Sequence, residues 1–296
     1  VSRAPVPDLA SVLNEWFSDA ARPLPWRAAD VSPWAVLVSE FMLQQTQVAR
    51  VVPRWEAWIE RWPTPAALAA EPPAEAVRAW DRLGYPRRAL WLHRAAVELV
   101  ERHGGEVPSG LDDLLALQGV GQYTARAIAA FAFGARHPVV DTNTRRVIAR
   151  AALGQAQPGP PSTERDLAAM SALLPPTDAA ARTFNAATME LGATVCTARA
   201  PRCDACPIAE QCAWRRAGYP AYDGPRRRVQ ARFEGSDRQV RGLVMRELRT
   251  AHRAVAPHEL DPLWSDATQL ERAIAGLVAD GLAVLDDDGA LALPDA

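Results

Sequence analysis

The chain has 296 residues, 49% of them apolar and 23% charged, which is enough to bury a substantial core in two or three compact units. No run of about 18 apolar residues occurs, and Val1–Asp19 lacks a basic-then-apolar leader, so a cytoplasmic protein with no membrane partner is expected. The formal charge of −2 argues against a nucleic-acid partner only as an average: Trp214–Arg253 holds eleven Arg against four acids, whereas Ala254–Ala296 holds one Arg against nine. Such a basic stripe is either a nucleic-acid surface or a solvated linker. All 33 basic residues are Arg, and guanidinium stays protonated, so a mechanism that needs a lysine Schiff base is excluded.

Apolar residues recur at helical spacing through most of the first 195 residues, which predicts an all-α body. In chain order the expected helices are Leu9–Ala20, Pro33–Ala49, Pro53–Arg61, Pro73–Leu83, Arg87–His103, Leu111–Leu117, Gln122–Phe133, Thr144–Leu153, Ser162–Leu174 and Ala179–Leu191. Ser32 before Pro33 reads as an N-cap followed by a first-turn proline. Gln155–Pro161 is a Pro- and Gly-rich loop, and Gly218–Arg228 a linker. Beyond it, helices at Asp237–Thr250, Pro257–Leu263 and Ala267–Asp280, followed by a hairpin at Ala283–Leu293, suggest a small winged-helix-like unit.

Three motifs carry chemistry. Between two short helices lies Leu117-Gln118-Gly119-Val120-Gly121-Gln122-Tyr123-Thr124-Ala125, where paired glycines allow a tight turn and the next helix offers its first N–H groups to a phosphate oxygen. Most Gly-x-Gly pairs are ordinary turns, but the leading Leu and the Thr-Ala continuation make this a helix-hairpin-helix signature. Some twenty residues on, Asp141 closes the apolar run Pro138-Val139-Val140 just before a helix. Taken alone it reads as an N-cap. The only four cysteines are Cys196, Cys203, Cys206 and Cys212, clustered within seventeen residues, which favours a metal centre over disulfides and leaves zinc and iron–sulfur as the alternatives. A fourth candidate is Glu40, which shares a helical face with Val36, Leu37 and Gln44; burial there would keep its carboxyl protonated and fit for acid catalysis, against the plain alternative of a surface ion pair.

With Leu24-Pro25-Trp26-Arg27 and Ser39-Glu40-Phe41-Met42-Leu43-Gln44-Gln45-Thr46-Gln47-Val48, these features make the first 215 or so residues resemble the MutY-type adenine DNA glycosylases of the endonuclease III superfamily. The resemblance implies an endonuclease III-like, two-lobed, all-α fold. Residues 1–217 would form the body, with a six-helix barrel lobe at about 27–135, a cluster lobe from the N-terminal helix and 136–195, and an iron–sulfur loop at 196–212. Residues 218–235 would be a basic linker and 236–296 the winged-helix-like unit. The cysteine spacing matches the family's [4Fe-4S] loop, with a structural role for the cluster.

The same resemblance assigns roles. Glu40 would protonate N7 of a flipped-out adenine, Asp141 would stabilise or trap the oxocarbenium-like sugar, and Asn143 would orient Asp141. Tyr123 stands where bifunctional relatives carry Lys, which with the absence of lysine implies base excision without a strand-cleaving lyase step. Gln45 and Tyr85 would enter the duplex near the mispair, Trp26 and Arg27 would line the adenine pocket, and Gln118, Gly119, Val120 and Gly121 would grip the backbone of double-stranded DNA. For Trp26, Tyr85 and Tyr123 simple packing is the alternative. The chain departs from the family pattern at Pro86 and Thr142, where a second Tyr and a Gly are usual, and it is too short for the family's Nudix-like domain, which recognises 8-oxoguanine. Its C-terminal unit would contact DNA or a protein partner, and a monomer is expected. Excision of adenine opposite 8-oxoguanine or guanine is the leading reading. A thymine glycosylase at G·T mispairs and a non-catalytic helix-hairpin-helix/winged-helix DNA-binding protein are the competing ones.

Overall fold

The computed structural model describes residues 8–225 and 232–295. It divides into two compact units, each assembled from segments distant in sequence. The first comprises Val1–Val36, Ser109–Leu115 and Val120–Arg227, the second Leu37–Pro108, Ala116–Gly119 and Arg228–Ala296.

Helix α1 (Leu9–Ala20) starts at Asp8, whose side chain accepts from the Ser11 N–H at 2.8 Å. A 3-10 turn at Pro25–Arg27 carries Trp26. Helix α2 (Pro33–Leu43) is capped as expected, the Ser32 hydroxyl accepting from the Ala35 N–H at 3.2 Å. It does not run on to Ala49. Gln45 turns into the left-handed region (φ 60°), and a new helix α3 (Val48–Arg61) begins, so that Pro53, expected to open a helix, lies inside one. Tertiary bonds hold this break: Arg88 donates to the Gln44 carbonyl, and Thr46 Oγ1 donates to the Leu83 carbonyl at 3.2 Å. Just past the first turn, Pro53 costs α3 a single intrahelical bond.

Helix α4 (Pro65–Ala69), which periodicity does not announce, is capped by Thr64. Helix α5 (Pro73–Trp80) stops three residues short of the expected Leu83 because Asp81 leaves helical space at φ 46°. Helix α6 (Arg87–His103) ends at left-handed Gly104, the favoured C-terminal stop. Helices α7 (Leu111–Leu115) and α8 (Gln122–Phe133) flank the glycine hairpin. Helix α9 (Thr142–Ala151) starts directly after Asp141, two residues earlier than periodicity indicates. Helices α10 (Thr163–Ser171) and α11 (Asp178–Thr194) lead into the cysteine loop, and α12 (Ala213–Arg216) closes it.

In the first unit α1, α9 and α11 pack around Leu13, Val147, Phe184 and Leu191, with Cys196 and Cys206 against the same core. In the second unit Trp58, Trp62 and Trp80 form edge-to-face pairs, with centroids 4.7 and 5.9 Å apart, beneath α3 and α5. The C-terminal region joins this unit: α13 (Asp237–Thr250), α14 (Pro257–Leu260), α15 (Ala267–Ala279) and a two-stranded hairpin of β1 (Val284–Leu285) and β2 (Leu291–Ala292). The strands pair antiparallel, Leu285 opposite Leu291, and Val255 bridges to Leu291 on the other side.

Four of the eleven arginines of the basic stripe are engaged inside this region. Arg241 pairs with Asp280, Arg253 with Glu259 and Arg246 with Glu247, while Arg249 binds a main-chain carbonyl. Arg226, Arg227 and Arg228 of the linker lie outside the described residues. Among the described residues no helix is long and apolar enough to cross a membrane.

Candidate functional site

Asp141 is the N-cap of α9, and both of its carboxylate oxygens are held. Its Oδ1 accepts from the Thr144 N–H at 2.6 Å and its Oδ2 from Asn143 Nδ2 at 2.9 Å. An ionised carboxylate has about four acceptor sites, so two donors fix its plane and leave acceptor capacity for a cationic sugar. The approach to it is held by Asn185, fully buried in α11, which accepts from the Val139 N–H and donates to the His137 carbonyl, both at 2.9 Å. Capping and candidate catalytic geometry are therefore the same contacts.

Behind Asn143 stands Arg146, one helical turn on. Its Nη2 donates to Asn143 Oδ1 (2.8 Å) and to the Gly192 carbonyl (2.7 Å), and its Nε to the Cys196 carbonyl (2.7 Å). Gly192 is where α11 comes closest to α9: a Cβ there would lie 2.7 Å from Asn143 Cβ. One turn further along α9, Arg150 donates to Cys196 Sγ at 3.4 Å and to the Thr197 carbonyl at 2.7 Å, and lies 4.9 Å from the ring centroid of Trp214. A single helix thus holds Asp141 at its start and the cysteine loop along its side.

Cys196, Cys203, Cys206 and Cys212 line one cavity with Leu191, Ile208 and Trp214. None of the four forms a disulfide. Burial pushes the Cys206 thiol up to about 11, and burial likewise raises Cys196 against the opposing pull of Arg150. Four thiolates would repel one another here, so the cavity calls for a cationic group that binds sulfur. Among the described residues no three metal-ligating side chains converge closely enough for a single ion. Four cysteines gathered on one buried cavity are the donor set that an iron–sulfur cluster takes, and these residues would hold one.

Arg27, expected beside an adenine, spends its guanidinium on Glu190, a carboxylate only 1% exposed: Nη2 donates to Oε2 at 2.9 Å, with Arg22 paired to the same group. Burial opposes ionisation of Glu190, but the two arginines outweigh it and hold the carboxyl below its usual range. The same pair anchors the turn that carries Trp26, which is buried. Tyr123, in the first turn of α8, is half-buried against Ala127, Ala130 and Val139.

In the second unit Glu40 lies on α2 and is 4% exposed. Its neighbours Leu37, Val38 and Phe41 are fully buried. Gln45 and Tyr85 are brought together by Arg88, which donates to Gln45 Oε1 at 3.4 Å and stacks its guanidinium 4.6 Å from the Tyr85 ring centroid. Both residues take left-handed backbone angles, and Tyr85 is 53% exposed. Gln118 donates its N–H to Glu98 at 2.8 Å. Gly119 must be glycine twice over: its φ is +78°, and a Cβ would fall 2.8 Å from Trp91 Cβ. In the first unit Val120 is buried, and Gly121, extended and open around its Cα, caps α8.

Sequence reasoning did not single out Arg146, Glu190, Asn185, Arg88 or Gly192. Only Arg146 carried a local signal, lying three residues past Asn143 on the same helical face.

A glycine hairpin followed by a capped aspartate and a four-cysteine loop defines a class of DNA-repair proteins. Residues 38–172 match the HhH-GPD superfamily base excision DNA repair protein model and 196–212 the iron–sulfur binding domain of endonuclease III. The chain is 53% identical over 283 residues to an adenine DNA glycosylase of Mycobacterium tuberculosis, covering 95% of this chain and 92% of that one. It belongs to the adenine DNA glycosylase family. Among solved structures, it resembles a thermostable thymine-DNA glycosylase at 26% identity and TM-score 0.63, over 70% of this chain and 95% of that one. An endonuclease III trapped as a covalent intermediate with DNA shares the fold at 23% identity and TM-score 0.61, over 71% and 95%.

Proposed function

We propose that the protein hydrolyses the N-glycosidic bond of adenine opposite 8-oxoguanine or guanine in duplex DNA and leaves the strand intact. The observation that carries this reading is the doubly held Asp141 carboxylate, oriented by Asn143 and the α9 N-terminus and still able to accept charge. Glu40, buried on α2, supplies a proton to adenine N7. The electron pair of the C1′–N9 bond leaves with the base, and the cationic sugar is stabilised or briefly trapped by Asp141. Water then attacks C1′ and its proton returns to the Glu40 carboxylate.

Cys196, Cys203, Cys206 and Cys212 would hold the iron–sulfur cluster, which would cross-link and shape the loop when bound. The N-terminus of α8 at Gly121 offers N–H groups to a phosphate, and Gln45 and Tyr85 enter the duplex where the base has left. The protein acts as a monomer in a reducing, cytoplasmic setting that keeps the four cysteines out of disulfides and available to the cluster. The C-terminal region touches DNA or a protein partner.

The deciding experiment is single-turnover excision from duplexes containing A·8-oxoguanine, A·G, T·G and uracil. Free adenine from the first two, with abasic sites cleaved only by alkali, is the expected outcome. Thymine release without adenine release would overturn the reading.

A further inference from the structure

The turn between α5 and α6 is held against its own backbone preferences. Asp81 sits at φ 46°, ψ −118°, and Gly84 and Tyr85 follow at φ 87° and 49°. A side-chain-bearing residue in such a region is disfavoured and persists only where its surroundings over-determine it.

Here every carbonyl from Asp81 to Tyr85 has a donor. Arg50 binds that of Arg82, and Thr46 Oγ1 that of Leu83. Trp80 Nε1 donates to the Gly84 carbonyl at 2.9 Å and the Arg88 N–H to that of Tyr85 at 3.0 Å. The remaining one, on strained Asp81, is held at 2.7 Å by Nη1 of Arg249, near the end of α13. Arg54 pairs with the Asp81 carboxylate. Two further ties strap the C-terminal region alongside: Arg78 Nη2 to the Ala251 carbonyl at 3.4 Å and Arg87 to Asp280 at 3.1 Å. Four of the five carbonyl donors lie within the same stretch, Thr46 to Arg88, and only Arg249 comes from 168 residues away.

We propose that Arg249 is a positioning residue for Tyr85: through the Asp81 carbonyl, the C-terminal region braces the left-handed turn that presents Tyr85 to the mispair. This rests on the reading of Tyr85 as a residue that enters the duplex. It gives the region a part in substrate recognition without contact to DNA.

The test compares mispair affinity and single-turnover excision of the cluster-loaded full chain on A·8-oxoguanine duplexes. Tyr85→Ala is expected to weaken mispair binding about 5- to 160-fold, the range of a lost base–aromatic stack. Arg249→Ala should weaken it about 3- to 10-fold, Arg249→Lys should recover most of that, and Arg249→Ala added to Tyr85→Ala should change nothing further, because residues acting through one contact are not additive. Asp81→Gly, which relieves the backbone penalty, should shrink the Arg249→Ala loss to under about twofold. Hydrogen exchange at 81–85 should quicken in Arg249→Ala while the centre of α13 exchanges as before.

Additive losses overturn the proposal, as does unchanged exchange at 81–85. Loss of protection throughout α13 would make Arg249 a general stability contact and also overturn it. Tyr85→Ala with unaltered mispair binding removes the premise, a result distinct from failure of the brace, and the proposal falls with it.

Discussion

The amide nitrogen of Asn143 lies 2.9 Å from Oδ2 of Asp141 and donates to it. The orientation of that amide is forced, because Asn143 Oδ1 faces Arg146 Nη2 at 2.8 Å and an arginine can only donate. Asp141 therefore always meets a donor on this side. Replacing the donor with a second acceptor should be worse than removing it. Asn143→Ala is expected to slow single-turnover excision about 10- to 100-fold. Asn143→Asp should slow it further, because two adjacent carboxylates cannot both ionise freely and one pKa must rise. Excision rates measured from pH 5 to 8 separate the two: the Asn143→Asp protein should recover activity towards high pH, and a profile parallel to that of the unmodified protein would count against a direct Asn143–Asp141 interaction.

Gly192 sets how closely α11 approaches the Asp141 cap. A methyl group there would lie 2.7 Å from Asn143 Cβ and 3.0 Å from its carbonyl oxygen, and helix backbone gives little. Gly192→Ala is expected to lower stability by about 1–3 kcal/mol through overpacking. It should also slow excision, since Asn143 is the group displaced. Urea unfolding and single-turnover assays on cluster-loaded protein measure the two losses. Full activity and an unchanged urea midpoint would mean that α9 and α11 stand farther apart than the structure places them.

Glu190 ties the Trp26-bearing turn to α11 through Arg22 and Arg27. Burial raises its pKa, the two guanidiniums lower it, and the net direction is down from 4.5. A carboxyl depressed in the folded state stabilises fully above its unfolded pKa and loses that contribution as pH falls through the folded value. Part of the acid sensitivity of the protein should therefore appear below about pH 4.5 and belong to this residue. Glu190→Gln should cost on the order of 1–3 kcal/mol near pH 7, since the arginines are partly exposed and water relieves some of the loss. The difference from the unmodified protein should narrow as pH drops below 4, checked by urea midpoints across pH 3–7. A constant difference across that range would remove Glu190 from the titration.

Much of this arrangement is legible from local pattern alone. Leu9–Ala20, Arg87–His103, Gln122–Phe133 and Asp237–Thr250 carry helical periodicity between good stops and fold as helices with those bounds. The break at Gln45 is not legible, because Val36, Leu37, Glu40 and Gln44 keep helical spacing, no Gly or Pro marks the turn, and the contacts that stabilise it come from Arg88 and Leu83. In the same way the hairpin glycines, Asp141 and the cysteines announce themselves by spacing. Glu190, Asn185 and Arg249 do not, since their partners lie 46 to 168 residues away and nothing local records the pairing.

Tyr123 offers a gain-of-function test of the chemistry. The chain contains no lysine, so a lysine-derived borohydride-trapped adduct with an abasic product can come only from an introduced residue. Tyr123 is half-buried on the first turn of α8, packed against Ala127, Ala130 and Val139, and an amine there would be partly desolvated and easier to deprotonate. Tyr123→Lys is expected to keep adenine excision within about tenfold, to yield a trapped protein–DNA species and to nick the strand without alkali. The unmodified protein should do neither under the same conditions. An adduct in the unmodified protein would require a nucleophile other than lysine. Its absence from an excision-competent Tyr123→Lys protein would place Tyr123 out of reach of the sugar.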